Sequence, residues 1–308
     1  MNQRHLVPIA VFLLALSLAR AEALKLDDTP RIAIVGAYAD ELANSRAVID
    51  GETIEATHTI NGIRFELGTA YGRPVLFFFT NTSTINAAMS TQVALLRFNV
   101  THLLFAGIAG GIDHDLEKGD VAIPEGWAYH AQGAYFNPDP EEPESYLVPD
   151  RRYTPYPNFG MHHPSNVRVV RDGLAEAEPV ALFPADPALL AIARDAVGDL
   201  DLTDAYGEPA TIAIRDNGVA GPVFMDNAEY REFVHHTWNA TVLDMESTAI
   251  GHVCWANQVP FLIIRSVSDL AGGQQGHNEI FEHADRAEAN AARVLDAILR
   301  ELASSEHD

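Results

Sequence analysis

Between Thr241 and Leu302 the chain runs through a short apolar stretch, a helical pattern, a second apolar stretch and a long helical pattern. No other feature restricts the fold as much. Residues 241–245 and 261–266 are too short for helices and too uniformly apolar for strands with one wet face, so both predict strands buried on two sides. A helix is expected between them, over 246–257. A terminal helix is expected over 278–302.

The same alternation marks the N-terminal half. Arg31–Gly36 predicts a buried strand turning into a helix over 38–47, and Ile85, Met89, Val93 and Leu96 recur at helical spacing, giving a helix over 84–98. It leads to a strand at 102–106 closed by a glycine-rich turn, Gly107-Ile-Ala-Gly-Gly111. Residues 53–60, 63–70 and 74–80, parted by Asn61-Gly62 and Gly72-Arg73-Pro74, predict two successive hairpins. Short strands are expected at 120–123 and 212–219, with helices at 187–196 and 227–236. Strands alternating with helices imply a single three-layer α/β/α domain with a mixed, largely parallel central sheet. From about 130 to 184 neither period is sustained and Pro, Tyr, Asn and Asp abound. This reads as a long loop or insertion, and its His162 and His163 as surface polar residues.

The first residues read as a processing segment. Arg4 precedes an apolar run over 6–19, and Ala19-Arg20-Ala21 places small residues two apart, so residues 1–21 are expected to be a signal peptide cleaved after Ala21. The run falls short of the roughly 20 residues that span hydrocarbon. The mature domain, 22–308, is therefore expected in the periplasm or outside the cell, with no membrane association. A lone cysteine, Cys254, excludes a disulfide framework within the chain and reads as a buried helix residue. The formal charge is −23, and removing the two positive charges Arg4 and Arg20 takes it to −25. Such a surface repels phosphodiesters and anionic lipid, which argues against nucleic acid or membrane as partner.

In parallel α/β sheets reactive groups gather beyond the carboxyl ends of strands. Acidic residues stand there three times: Asp40/Glu41 after the first strand, Glu246 after Leu243-Asp-Met, and Asp269 after Ile263-Ile-Arg-Ser-Val-Ser. Singly, each could be a first-turn acid favoured by a helix dipole. Three together, in a chain without metal-ligand spacing, point to acid/base work with no metal and no cofactor. N-glycosidic cleavage needs such a set, because its transition state is oxocarbenium-like. The departing base needs an acid, the sugar hydroxyls a carboxylate to hold them, and water a base. No nucleophile elbow, phosphate-binding glycine loop or dinucleotide fingerprint occurs.

Five blocks carry a resemblance: Ile-Val-Gly-Ala-Tyr-Ala-Asp-Glu41; Asn86-Ala-Ala-Met; Ala106-Gly-Ile-Ala-Gly-Gly111 with Lys118-Gly-Asp-Val; Val242-Leu-Asp-Met-Glu246-Ser-Thr-Ala-Ile; and Val259-Pro-Phe-Leu-Ile-Ile-Arg265-Ser-Val-Ser-Asp269. In this order they resemble the bacterial 5′-methylthioadenosine/S-adenosylhomocysteine nucleosidases, within the nucleoside phosphorylase/nucleosidase superfamily, over about 31–302 apart from the insertion. Val223-Phe-Met-Asp-Asn-Ala-Glu-Tyr-Arg-Glu-Phe, Ser268-Asp-Leu-Ala-Gly-Gly and Pro124-Glu-Gly-Trp127 are similar to the plant bark and vegetative storage proteins, a branch of that superfamily. The resemblance implies catalytic roles for Glu41 (activating water), Glu246 (gripping the ribose hydroxyls) and Asp269 (serving the purine N7). It implies that Met245 packs on the ribose, that Phe224 stacks on the base, and that the backbone of Met225 reads the base edge. Arg265 and Ser268 would support the last two acids, and Ile108, Ala109 and Gly110 would line the sugar and nucleophile. A homodimer or higher homo-oligomer is implied as well. Three departures stand out: Tyr38 replaces a methionine usual near the 5′ substituent, the apolar residue expected after Asp269 falls among His277, Asn278 and Glu279, and the insertion has no counterpart in the compact nucleosidases.

Three activities are compatible with this set. Hydrolysis is favoured over phosphorolysis because the Gly107 turn holds no cation and Glu41 would repel phosphate. A storage or nucleoside-binding protein has no need of three carboxylates at strand ends.

Overall fold

The computed structural model describes residues 25–142, 145–150, 152 and 155–305, and the expected signal peptide lies outside them. The elements in chain order are β1 (Asp27–Gly36), α1 (Ala39–Val48), β2 (Thr53–Ile60), β3 (Ile63–Ala70), β4 (Arg73–Phe79), α2 (Thr84–Arg97) and β5 (Phe98–Gly111). The short strands β6 (Val121–Ala122), β7 (Gly126–Tyr129), β8 (Gly133–Tyr135), β9 (His162–Pro164), β10 (Val167–Val169), β11 (Glu178–Val180) and β12 (Phe183–Pro184) follow. The chain ends with α3 (Pro187–Ala196), β13 (Ile212–Ala213), β14 (Asn217–Ala220), α4 (Ala228–Trp238), β15 (Ala240–Asp244), α5 (Ser247–Asn257), β16 (Phe261–Asp269) and α6 (Ile280–Ser305).

Strand alternation explains the layers. Successive residues of a strand face opposite sides of the sheet, so Ala33, Val35, Leu103, Phe105 and Ile263 pack with Ala87 and Ala94 of α2 and Ile250 and Cys254 of α5. Ile32, Ile34, Leu104, Ala106, Leu262 and Ile264 pack on the other side with Leu42 of α1, Leu189 of α3 and Val294, Leu295 and Ile298 of α6. Burial pushes the Cys254 thiol well above its ordinary range. The main path of the mixed sheet runs β12-β7-β14-β15-β5-β1-β4-β3-β2. Parallel pairs lie at its centre (β1 with β4 and β5, β5 with β16), and the β2–β3–β4 hairpins are antiparallel.

Three expectations need correction. The glycine-rich segment 107–111 is no turn: β5 continues through it, pairing with β16 at Arg265↔Gly107 and with β15 at Val242↔Gly111. Glycine is needed there because a Cβ on Gly107 would stand 2.2 Å from both Arg265 Nη1 and Glu41 Oε1. The strand expected at 212–219 is two strands, β13 and β14, parted at Asp216, whose φ of 56° breaks extended backbone. The insertion is not structureless either: β8 pairs β9, β10 pairs β11, and β12 joins the main sheet beside β7. Its His162 and His163 are buried, 8% and 4% exposed. His163 packs edge-on against Phe136 and Tyr146, and His162 shares a hydrogen bond with the His130 carbonyl. Rings replace aliphatic side chains as the filling of this small cluster. Burial holds the imidazole of His130 far down, at about 3.

Candidate active site

A cavity of about 450 Å3 opens beyond the carboxyl ends of β1, β5, β15 and β16, and Glu41, Glu246 and Asp269 all line it. Glu41, 2% exposed, sits in the first turn of α1. Its Oε2 accepts from the Ala37 N–H at 2.6 Å and its Oε1 from the Ile108 N–H at 2.9 Å. Burial pushes its carboxyl up to about 7, against the pull of the Arg265 guanidinium and those two N–H donors.

Glu246 follows β15 at the N-cap position of α5 but makes no capping bond. Asp244 does the capping, its Oδ1 accepting from the N–H groups of Glu246 (3.1 Å) and Ser247 (3.0 Å). Glu246 is thereby free to reach across to α2, where Oε1 accepts from the Ser83 N–H at 2.6 Å. Ser83 holds a φ of 89°, a conformation that costs a non-glycine residue on the order of 1–3 kcal/mol and here aims a donor at a carboxylate. Burial, with Asp244 nearby, pushes the Glu246 carboxyl upward; Arg265 pulls the other way.

Asp269 ends β16. Its Oδ1 takes the Ser268 hydroxyl at 2.9 Å, and its Oδ2 accepts from the Ala271 N–H at 3.0 Å and the Asn278 amide at 2.9 Å. The walls between these acids carry Ile108, Ala109 and Gly110 from β5, Met245, and the Phe224–Met225 pair, with Phe224 57% exposed and Met225 buried.

Arg265, expected beside Glu246 and Asp269, stands beside Glu41 and Glu246 instead. It does not line the cavity; it lies beneath it, fully buried over the ring of Phe105. Its Nε stands 2.6 Å from Asp244 Oδ2, whereas Glu41 and Glu246 are 3.6 and 3.7 Å from Nη1 and Nη2. It therefore underpins Glu41 and Glu246, while Asp269 is held by Ser268, Ala271 and Asn278. Two residues went unassigned in the sequence, Asp244 and Asn278. The signal for Asp244 was available: an acid inside one apolar run and an arginine inside another demand each other if both runs are buried strands.

No cationic side chain lines the cavity among the described residues, whereas Asp40, Glu41, Asp244, Glu246, Asp269, Asp285 and Glu288 do. One group with metal-ligand geometry occurs among the described residues, Glu279, Glu282 and His283, outside the cavity lining, and the Lys118 ammonium already pairs with Glu279. Three carboxylates on one cavity are a set that can protonate a leaving group, hold hydroxyls and take a proton from water.

Several nucleosidases resemble this chain in sequence and in build. The chain is 25% identical over 277 residues to the 5′-methylthioadenosine/S-adenosylhomocysteine nucleosidase of Bacillus thuringiensis, covering 88% of this chain and 99% of the relative. Among solved structures, the Helicobacter pylori enzyme of that name superposes with a TM-score of 0.66 at 18% identity, covering 89% of this chain and 99% of that one. Futalosine hydrolase of Helicobacter pylori gives 0.65 at 18% identity, covering 89% and 98%. The family model of the phosphorylase superfamily matches residues 31–300, and the chain belongs to that superfamily.

Proposed function

We propose that this protein hydrolyses the N-glycosidic bond of a purine nucleoside, of the methylthioadenosine/S-adenosylhomocysteine kind or of the adenosine/inosine kind. The observation that carries the reading is the cavity itself, with an acid at each of three stations and no cation on its walls. Asp269 gives its proton to N7 of the purine as the N9–C1′ electron pair withdraws into the base. Glu246 accepts hydrogen bonds from the ribose hydroxyls, and these strengthen as positive charge grows on the sugar. Water adds to C1′ and gives a proton to Glu41, whose value near 7 suits a base working at neutral pH. A phosphorylase would need a cation for phosphate in this place. The relatives' names, methylthioadenosine/S-adenosylhomocysteine nucleosidase and futalosine hydrolase, support hydrolysis.

The test is to incubate the protein with adenosine, inosine, methylthioadenosine and S-adenosylhomocysteine, with and without phosphate. Free sugar product at a rate indifferent to phosphate is expected; a sugar 1-phosphate, formed only with phosphate, overturns the reading. Two further parts belong to the same proposal. The leader at 1–21 exports the protein, so N-terminal sequencing of exported material should begin at Glu22. Ile85, Met89 and Leu96, exposed along one side of α2, support assembly into a homo-oligomer, readable as a mass of at least twice the chain in light scattering.

A further inference from the structure

Asn278 lies in the segment that connects β16 to α6, two residues before the helix, and every polar atom of its side chain is engaged. Its Oδ1 accepts from the Ile280 N–H at 3.0 Å, at the start of α6. Its Nδ2 donates to Asp269 Oδ2 at 2.9 Å and to Asp226 Oδ1 at 3.1 Å. Asp226 Oδ1 also accepts from Gln274 Nε2 at 2.7 Å, so the segment 270–278 is fastened to the loop that carries Phe224 and Met225. The amide has only one workable orientation, because the reverse would turn its oxygen toward two carboxylates and its nitrogen toward an N–H.

This arrangement distinguishes the two oxygens of the acid. Oδ2 receives two N–H donors, from Ala271 and Asn278. Neither donor can become an acceptor, so a proton placed on Oδ2 would displace one of them. Among the described residues Oδ1 has one hydrogen-bond partner, the Ser268 hydroxyl, which has a second acceptor available in the Ala109 carbonyl at 3.3 Å. The proton that Asp269 must deliver therefore belongs on Oδ1.

We propose that Asn278 is a positioning residue for N-glycosidic cleavage. It keeps the transferable proton of Asp269 on Oδ1 and takes up the charge left on the carboxylate when that proton departs. The inference rests on the role given to Asp269 above. In the step itself the Oδ1–H bond breaks, an N7–H bond forms, and the N9–C1′ pair passes into the purine. Asp269 is left ionised, with Ala271 and Asn278 donating to Oδ2 and Ser268 to Oδ1. Hydrogen bonds to an ion are stronger than those to the neutral acid, so the Asn278 amide favours the transition state over the bound substrate.

A purely structural role, capping α6, is separated by Asn278→Ser, since serine is also a good capping residue but cannot reach Asp269. We expect kcat on the best purine nucleoside to fall about 10- to 100-fold, with KM within about threefold and the thermal midpoint nearly unchanged. In an Asp269→Asn background the same change should cost less than about twofold, because the group through which Asn278 acts is gone. An undiminished kcat in Asn278→Ser overturns the proposal, and so does a loss that multiplies fully with that of Asp269→Asn. A wild-type protein that releases no purine from any nucleoside would instead refute the proposed function.

Discussion

Arg265 Nε lies 2.6 Å from Asp244 Oδ2 in a place where both side chains are buried, 0% and 4% exposed. The pairing joins β16 to β15 across β5 and leaves the guanidinium between Glu41 and Glu246. One cation thus serves three buried carboxylates. Among the described residues Nη1 and Nη2 make no hydrogen bond, so their hold on Glu41 and Glu246 is charge alone, at 3.6 and 3.7 Å. The shortage of positive charge is relieved by protons, and both glutamates bind theirs more tightly than usual.

Removing the guanidinium should therefore damage stability and catalysis together. Arg265→Leu leaves Asp244 charged and unpaired in the interior, a loss of about 3–5 kcal/mol by comparison with other broken buried pairs. Should that variant fail to fold, Arg265→Lys keeps the charge and loses the planar fork. It should fold with weaker resistance to urea and with the acid limb of its activity shifted upward. Unchanged denaturation and activity in both variants would show that the pairing has no energetic weight.

The raised value of Glu41 has opposite consequences for activity and stability. As a base it must be ionised, so kcat/KM should fall as pH drops through about 7. Its folded value lies above the ordinary 4.5 of a glutamate, so the folded protein binds more protons than the unfolded chain between 4.5 and 7. The contribution of Glu41 to stability is present below about 4.5 and is lost as pH rises through about 7. Glu41→Gln does not titrate, so its stability relative to wild type should increase between pH 5 and pH 8, by on the order of 1–3 kcal/mol. Chemical denaturation of both proteins at the two pH values reads this directly. A difference independent of pH would mean that Glu41 is an ordinary carboxylate.

Gly107 provides a purely steric test of the same cluster. A methyl group there would meet Arg265 Nη1 and Glu41 Oε1 at 2.2 Å, and both side chains are buried. Gly107→Ala should push Glu41 off the Ile108 N–H at a cost of about 1–3 kcal/mol in stability. A displaced base of this kind loses on the order of 100-fold in turnover. Near-normal turnover in a folded Gly107→Ala protein would show that Glu41 need not stand where it does.

Glu41, Glu246 and Asp269 were legible in the sequence because each stands at the end of an apolar run, and strand ends are local features. For Asp244 and Arg265 the sequence carried only the hint of ionised residues inside apolar runs; where they meet depends on the register of three strands and the intervening α5. Asn278 read as a helix start and as a polar residue where an apolar one is usual: its partner Asp269 lies across a segment whose path no periodicity fixes. Gly107 to Gly111 looked like a turn for a related reason. Glycine marks both a bend and a crowded strand, and only the neighbours, Arg265 and Glu41, decide between them. The insertion hid its strands because three-residue pieces are shorter than any period can reveal, and its buried histidines because rings packed on rings leave no aliphatic stripe.

Glu246 offers the sharpest distinction between an enzyme and a protein that merely shares its fold. Its carboxylate caps nothing in α5, since Asp244 takes that task; its one described hydrogen bond is to the Ser83 N–H, and the residue lines the cavity. Glu246→Gln should therefore leave the helix intact and change the thermal midpoint little. If the carboxylate holds the ribose hydroxyls, its loss weakens charge-assisted hydrogen bonds of about 1.5–3 kcal/mol, roughly 10- to 100-fold in kcat/KM. Because those bonds tighten as the sugar becomes cationic, kcat should fall as well as KM rise. A 2′-deoxynucleoside removes one bond from the other side. It should be a poor substrate for the wild type and lose comparatively little more in Glu246→Gln, since neither change can break a contact that is already gone. Fully additive losses would show that the carboxylate and the hydroxyl never meet.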